Sequence, residues 1–201
     1  MMGTIGNTFG LLASPVHTWE SIANEAPSTM KVLTTHTIPL SLIPALCWYY
    51  GVTQQGWSIA GDTMRLTGES ALPMCVLFFL AMVCGVVFLG YMVWWMSQTY
   101  GEKASLSASV ALVSYTATPF FLAGLLGLYP LLWLDILLGV GIASWCIYLL
   151  YVGVSPMMRV ARERGFLYAS AVFAVALVSF VGLLTVTVLL WQYGPTPEYT
   201  Y

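Results

Sequence analysis

Five apolar stretches, at about residues 31–53, 71–99, 105–127, 130–152 and 166–193, leave this chain few ways to fold. Each is close to the roughly 20 residues a helix needs to cross the hydrocarbon core of a bilayer. Lipid offers no partner for a backbone N–H or C=O, so stretches of this length read as helices that satisfy their own backbone. Only 7% of the 201 residues are charged, against about 25% in a soluble domain. The expectation is an all-α membrane protein: a five-transmembrane-helix bundle over residues 31–193, preceded by short amphipathic interfacial helices within residues 1–30 and followed by a short external tail at 194–201. No internal repeat or second domain is visible.

The third stretch, SLSASVALVSYTATPFFLAGLLG (residues 105–127), has the most internal detail. Ser107, Ala111, Ser114 and Thr118 recur at steps of four, three and four. They therefore share one helix face, where small side chains let a neighbouring helix approach. Pro119 cannot donate to the carbonyl of Tyr115 and clashes with it, which predicts a kink. Ser114, Thr116 and Thr118 are placed to partner the freed backbone groups. Ser114, Tyr115 and Pro119 are thus expected to shape the centre of the bundle.

Before the first stretch, Ile5, Phe9, Leu12, Val16, Trp19 and Ala23 recur at three- and four-residue steps and form one apolar stripe. Ser14 followed by Pro15 reads as an N-cap and first helical position, which splits the segment into helices at 4–13 and 15–24. Both are expected to lie along the membrane surface with Phe9 and Trp19 inserted. No cleavable signal peptide is evident. With five crossings, Lys31, Lys103, Arg159, Arg162 and Arg164 share one side and Arg65 falls on the other. The positive-inside rule then places the N-terminus in the cytoplasm and the C-terminus in the periplasm of a multi-pass inner-membrane protein.

Ionisable groups inside a membrane are costly and are functional candidates by default. Asp135 is the clear acid within a span; Asp135, Gly139 and Ala143 share a face, which turns the acid toward a close helix contact. Arg159, Arg162 and Arg164 lie in YVGVSPMMRVARERG (residues 151–165), placed to meet lipid phosphates or a partner. Near an anionic surface each basic group is worth about 1 kcal/mol. Cys47, Cys75, Cys84 and Cys146 lack CxxC spacing and read as small hydrophobes, with a Cys47–Cys75 bridge left open. His17, His36 and the Met74–Cys75 and Met157–Met158 pairs carry copper-type ligands without ligand clustering, so neither a metal nor a cofactor is expected. No GxSxG elbow or phosphate-cradling glycine loop occurs. Both histidines are placed at the cytoplasmic end, so no serine–histidine pair is expected within the spans, and Asp62 is placed in a loop. No basic run suits nucleic acid.

Three segments together carry a resemblance: SPVHTWESIANE (residues 14–25), SYTATPFFLAGLLG (114–127) and WCIYLLYVGVSPMMRV (145–160). In this order and spacing they resemble the bacterial branch of the Ypt-interacting-protein (YIP) family of integral membrane proteins. The resemblance implies five spans, a cytoplasmic N-terminus and no enzymatic activity. In eukaryotic relatives it implies association with Rab-type GTPases, Golgi traffic and membrane shaping. The cytosolic D-L-x-G-P-type segment of those relatives is missing here, so no functional residue carries over. The expected role is that of a scaffold, accessory subunit or assembly factor working through membrane lipids, other membrane proteins or a second copy of itself. The alternative is a small transporter or channel for an ion or lipid-like substrate, suggested by Pro39, Pro44, Pro119 and Asp135 because broken helices often line binding sites.

Overall fold

A computed structural model of the chain describes residues 4–59, 62–100, 104–193 and 199–200. Lys103 and most of the tail at 194–201 lie outside the described residues. Four helical runs are long and apolar enough to cross a membrane: Gly68–Thr99, Leu106–Leu128, Trp133–Met158 and Arg162–Leu189. They correspond to α5 (Gly68–Tyr100), to α6 (Leu106–Thr116) with α7 (Thr118–Ala123) and a 3-10 turn (Gly124–Leu128), to α8 (Leu132–Met158) and to α9 (Arg162–Tyr193).

The first predicted span is helical too, but as a chain of short pieces: α3 (Thr29–Val32), a π turn (Leu33–Thr37), α4 (Ile38–Tyr50) and a second π turn (Gly51–Gln55). It is less apolar than the other four because His36, Thr37 and Ser41 face inward, each at most 1% exposed. It nonetheless runs the length of the bundle. His36 meets Ser114 halfway along α6 and α7, while Gly51 packs against the carbonyl of Gly127 and beside Pro130 at the far end.

The kink expected at Pro119 is present as the break between α6 and α7 at Ala117, with Pro119 in the first turn of α7. The hydroxyls around it behave otherwise than expected. Ser114 and Thr118 turn to another helix rather than to the freed backbone, and the buried Thr116 Oγ1 has no partner.

The polar loop after the first run is not wholly irregular. β1 (Trp57–Ile59) and β2 (Asp62–Leu66) form an antiparallel hairpin, and β3 (Tyr199–Thr200) joins β2 with Arg65 opposite Thr200 and Leu66 opposite Tyr199. Asp62, expected in a loop, opens β2. A three-stranded sheet therefore closes one end of an otherwise helical protein and ties the C-terminal residues to the 57–66 hairpin. The four cysteines are free thiols, and Cys75 donates to the carbonyl of Ala45 at 3.2 Å rather than bridging Cys47.

At the opposite end, α1 (Thr4–Ala13) and α2 (Pro15–Glu25) form the two amphipathic helices, split at Ser14 and Pro15. Their apolar stripe divides between two environments. Phe9 is 65% exposed and Val16 47%, but Trp19 is fully buried in the protein. The cause is Gly153 of α8, where a Cβ would lie 2.7 Å from Trp19 Cζ2. The missing side chain makes a notch that takes the indole, so Trp19 packs on α8 instead of inserting into lipid.

The core sits around α6, whose residues from Ser109 to Tyr115 are all buried. α5 packs along it where Gly90 meets Val110. On the far side Tyr168 of α9 is fully buried and donates its hydroxyl to the carbonyl of Val93.

Candidate functional site

Four polar side chains of the interior converge on the face of α6 and α7 that meets the first π turn. Here the backbone bonds to the fifth residue along instead of the fourth, a widening often found at functional sites. His36 and Thr37, neighbours in sequence, both reach α6 from it. On the outer side, Thr34 and Thr35 satisfy themselves by donating to the carbonyls of Met30 and Lys31 at 2.8 and 2.7 Å.

The His36 ring is fully engaged. Its Nδ1 lies 2.9 Å from Ser114 Oγ and its Nε2 3.2 Å from Thr118 Oγ1. Ser114 Oγ is also 2.7 Å from Thr37 Oγ1. A neutral imidazole has one donor and one acceptor nitrogen, and each hydroxyl can take either part. The four side chains therefore satisfy one another without a charge. Tyr115 covers the imidazole, with ring centroids 4.2 Å apart and planes tilted by 48°. Trp19 closes the far side of Tyr115 edge-on, 6.5 Å away at 85°.

A second polar group continues toward the N-terminal helices. Asn7 and Glu25 lie near the Tyr115 side chain. Asn7 Nδ2 donates to Glu25 Oε2 at 3.5 Å. Asn7 Oδ1, Glu25 Oε1 and Trp19 Nε1 are buried without a partner. The file of polar groups from Glu25 to His36 is thus complete at its inner end and under-satisfied beneath α1 and α2.

A serine oxygen 2.9 Å from an imidazole nitrogen has the spacing of a nucleophile and its base, so the expectation of no such pair within the spans is corrected. His36 reaches Ser114 because the π turn carries it about a turn deeper than the start of the run. The surroundings differ from those of an active nucleophile. Ser114, Thr37 and Thr118 are all fully buried, and Ser114 Oγ is shared between His36 and Thr37.

Of the residues singled out from sequence, Ser114 and Tyr115 are in this cluster. Pro119 is buried beside it and sets the break that carries Thr118 to the imidazole. Asp135 is not: it lies in the first turn of α8, half-buried, with Oδ1 unpartnered. On the face Asp135 shares with Gly139 and Ala143, nothing among the described residues lies within 4 Å of a Cβ placed on Gly139, and Ala143 is exposed. Arg159, Arg162 and Arg164 are exposed at the end where α1 and α2 lie. Among the described residues no three His, Cys, Asp or Glu side chains group to hold a metal ion. Thr118, expected on the inward face, pairs with His36 instead of the freed backbone, whereas nothing in the sequence assigned Thr37, Asn7, Glu25 or the His36 ring to this cluster. The signal for His36 and Thr37 was the polar run TTHT at the head of an apolar stretch, of which Thr34 and Thr35 face outward and His36 and Thr37 inward.

The Yip1 domain family model matches residues 9–183. Inner membrane protein YohC of Escherichia coli strain K12 is 34% identical over 191 residues, which cover 94% of this chain and 98% of that protein. YohC of E. coli O6:H1 strain CFT073 shows the same identity and coverage. No solved structure matches the chain. The matched region runs from α1 into α9 and takes in Trp19, His36, Thr37, Ser114, Tyr115 and Thr118, and the chain is a membrane protein of the Yip1 domain family.

Proposed function

We propose that this is a five-crossing inner-membrane protein without enzymatic activity, acting as a scaffold, accessory subunit or assembly factor through lipids and protein partners at its basic end. The observation that carries the reading is the mutual bonding of His36, Thr37, Ser114 and Thr118 within a packed centre. Polar groups that serve transport or catalysis face a cavity or a substrate path; these hold the first helical run against α6 and α7. What is left to meet other molecules is the exposed end carrying α1, α2, Arg159, Arg162 and Arg164.

Five crossings are supported by the course of residues 29–55 from the α1–α2 end to Gly127 and Pro130. The basic residues at the α1–α2 end favour a cytoplasmic position for it. The sheet, with Arg65, is then periplasmic. The inner-membrane placement follows the name of the YohC relatives.

A compartment-sensitive reporter fused after Tyr201 is expected to read periplasmic; a cytosolic reading removes the five-crossing topology. A fluorophosphonate probe, which reacts with activated serines, is expected to leave Ser114 unlabelled in native membranes. Labelling abolished by Ser114→Ala would overturn the non-enzymatic reading. Cross-linking in membranes is expected to trap the chain with protein neighbours through its α1–α2 end.

A further inference from the structure

At the basic end a cavity of about 240 Å³ opens between the end of α2, the start of α6 and the end of α8. That is far more than one water requires, so it has room for a polyatomic group. Ala23, Ala26 and Ala108 form apolar walls, Ser105 and Ser107 contribute hydroxyls, and Arg159 is the charged residue of the lining. Among the described residues no carboxylate lines it. The two serine hydroxyls lie 3.0 Å apart, and Ser105 Oγ accepts from the Ala108 N–H at 3.2 Å; with Ser105 donating to Ser107, the Ser107 proton is left for a further acceptor.

The backbone around the cavity is held at a cost. Ala26 and Arg159, at the ends of α2 and α8, are the non-glycine residues with positive φ, at 42° and 54°. An L-residue in this region costs roughly 1–2 kcal/mol, which glycine escapes. Arg159 lines the cavity from this position.

An arginine, a pair of serine hydroxyls and, among the described residues, no opposing carboxylate suit a phosphate group, which arginine binds through paired N–H donors. The phosphate could come from a lipid headgroup or from solution. The depth favours the lipid, because the cavity sits beside the amphipathic helices, where headgroups lie, and basic pockets of this kind between membrane helices hold anionic headgroups. We propose that this cavity binds the phosphate of an anionic phospholipid, with Arg159 pairing to it and Ser107 donating a hydrogen bond.

The test uses the full chain in a neutral detergent, with phosphatidylglycerol, diacylglycerol of the same acyl chains and inorganic phosphate as probes and binding read by native mass spectrometry. Wild type is expected to hold phosphatidylglycerol about tenfold or more tightly than diacylglycerol, which lacks the phosphate, the scale of one charge-assisted contact. Arg159→Asn, a residue that tolerates the left-handed region, is expected to remove that preference, and Arg164→Asn, an equal change of charge outside the cavity, to keep it. Ala23→Leu fills the cavity without touching a charge and is expected to remove the preference as well, which covers the case in which Arg159→Asn fails to fold. Equal losses from Arg159→Asn and Arg164→Asn would show diffuse surface attraction and overturn the proposal. So would retention in Ala23→Leu, or displacement of the lipid by millimolar inorganic phosphate, which would make free phosphate the ligand. The inference rests on the basic end facing the headgroups of the cytoplasmic leaflet. A cytosolic reading after Tyr201 would remove that orientation, whereas a lipid preference independent of Arg159 removes only the site.

Discussion

Trp19→Ala is expected to destabilise the protein by about 3–5 kcal/mol, the usual range for truncating a buried tryptophan, and to release α1 and α2 from the bundle. Trp19 is fully buried, its ring fills the notch at Gly153 and its edge meets Tyr115. Lipid is as apolar as the core, so packing rather than escape from water sets this cost in the membrane. The buried, unpartnered Nε1 is an expense of the native state that alanine removes, which puts the expected value toward the lower end. Limited proteolysis in detergent checks it: cleavage within residues 1–27 is expected well below the temperature at which the helices melt. Gly153→Leu is expected to act in the same way from the other side, by filling the notch while Trp19 stays intact. Protection of residues 1–27 equal to wild type in both variants would show that the indole is not what holds the hairpin.

His36→Leu is expected to cost about 1–3 kcal/mol, the penalty for stranding buried hydroxyls. Thr118 loses its partner on Nε2, while Ser114 keeps Thr37, so the loss falls mainly on one hydroxyl. The informative comparison is the quadruple variant His36→Leu, Thr37→Val, Ser114→Ala, Thr118→Val, which also removes the Thr37 hydroxyl that Ser114→Ala would strand. Replacing both sides of a polar contact by apolar groups of similar shape is often nearly neutral, so stability in a denaturant titration is expected to return to within about 1 kcal/mol of wild type. A structural cluster survives this exchange in function as well as in stability. A stable quadruple variant that no longer supports the cross-links of the wild type would assign the cluster a role beyond packing.

The two results bear on different links in the same interior. Trp19 ties the amphipathic helices to Tyr115, and Tyr115 lies on the His36 ring. A change beneath α1 and α2 therefore has a short route of packed rings to the centre. The partly unpaired Asn7 and Glu25 mark the outer end of that route as its less stable part.

The sequence by itself determined that the chain is helical and built for lipid, where it breaks and which end is basic. Twenty-residue apolar runs cannot leave their backbone unpaired in a membrane, Pro119 must interrupt its helix, and Ser14 with Pro15 must start a new one. These are local consequences of covalent chemistry, and they appear at the expected residues. Only the tertiary structure decided which polar side chains meet. Periodicity placed Ser114 and Thr118 on an inward face, but nothing local could pair them with a histidine about eighty positions earlier. The same limit applies to Trp19, whose stripe suits lipid as well as protein until Gly153 offers a notch, and to Asp135, whose neighbour on its helix face, Gly139, meets no helix among the described residues. A helix face records how apolar its surroundings are; which neighbour supplies them depends on contacts between residues far apart in the chain.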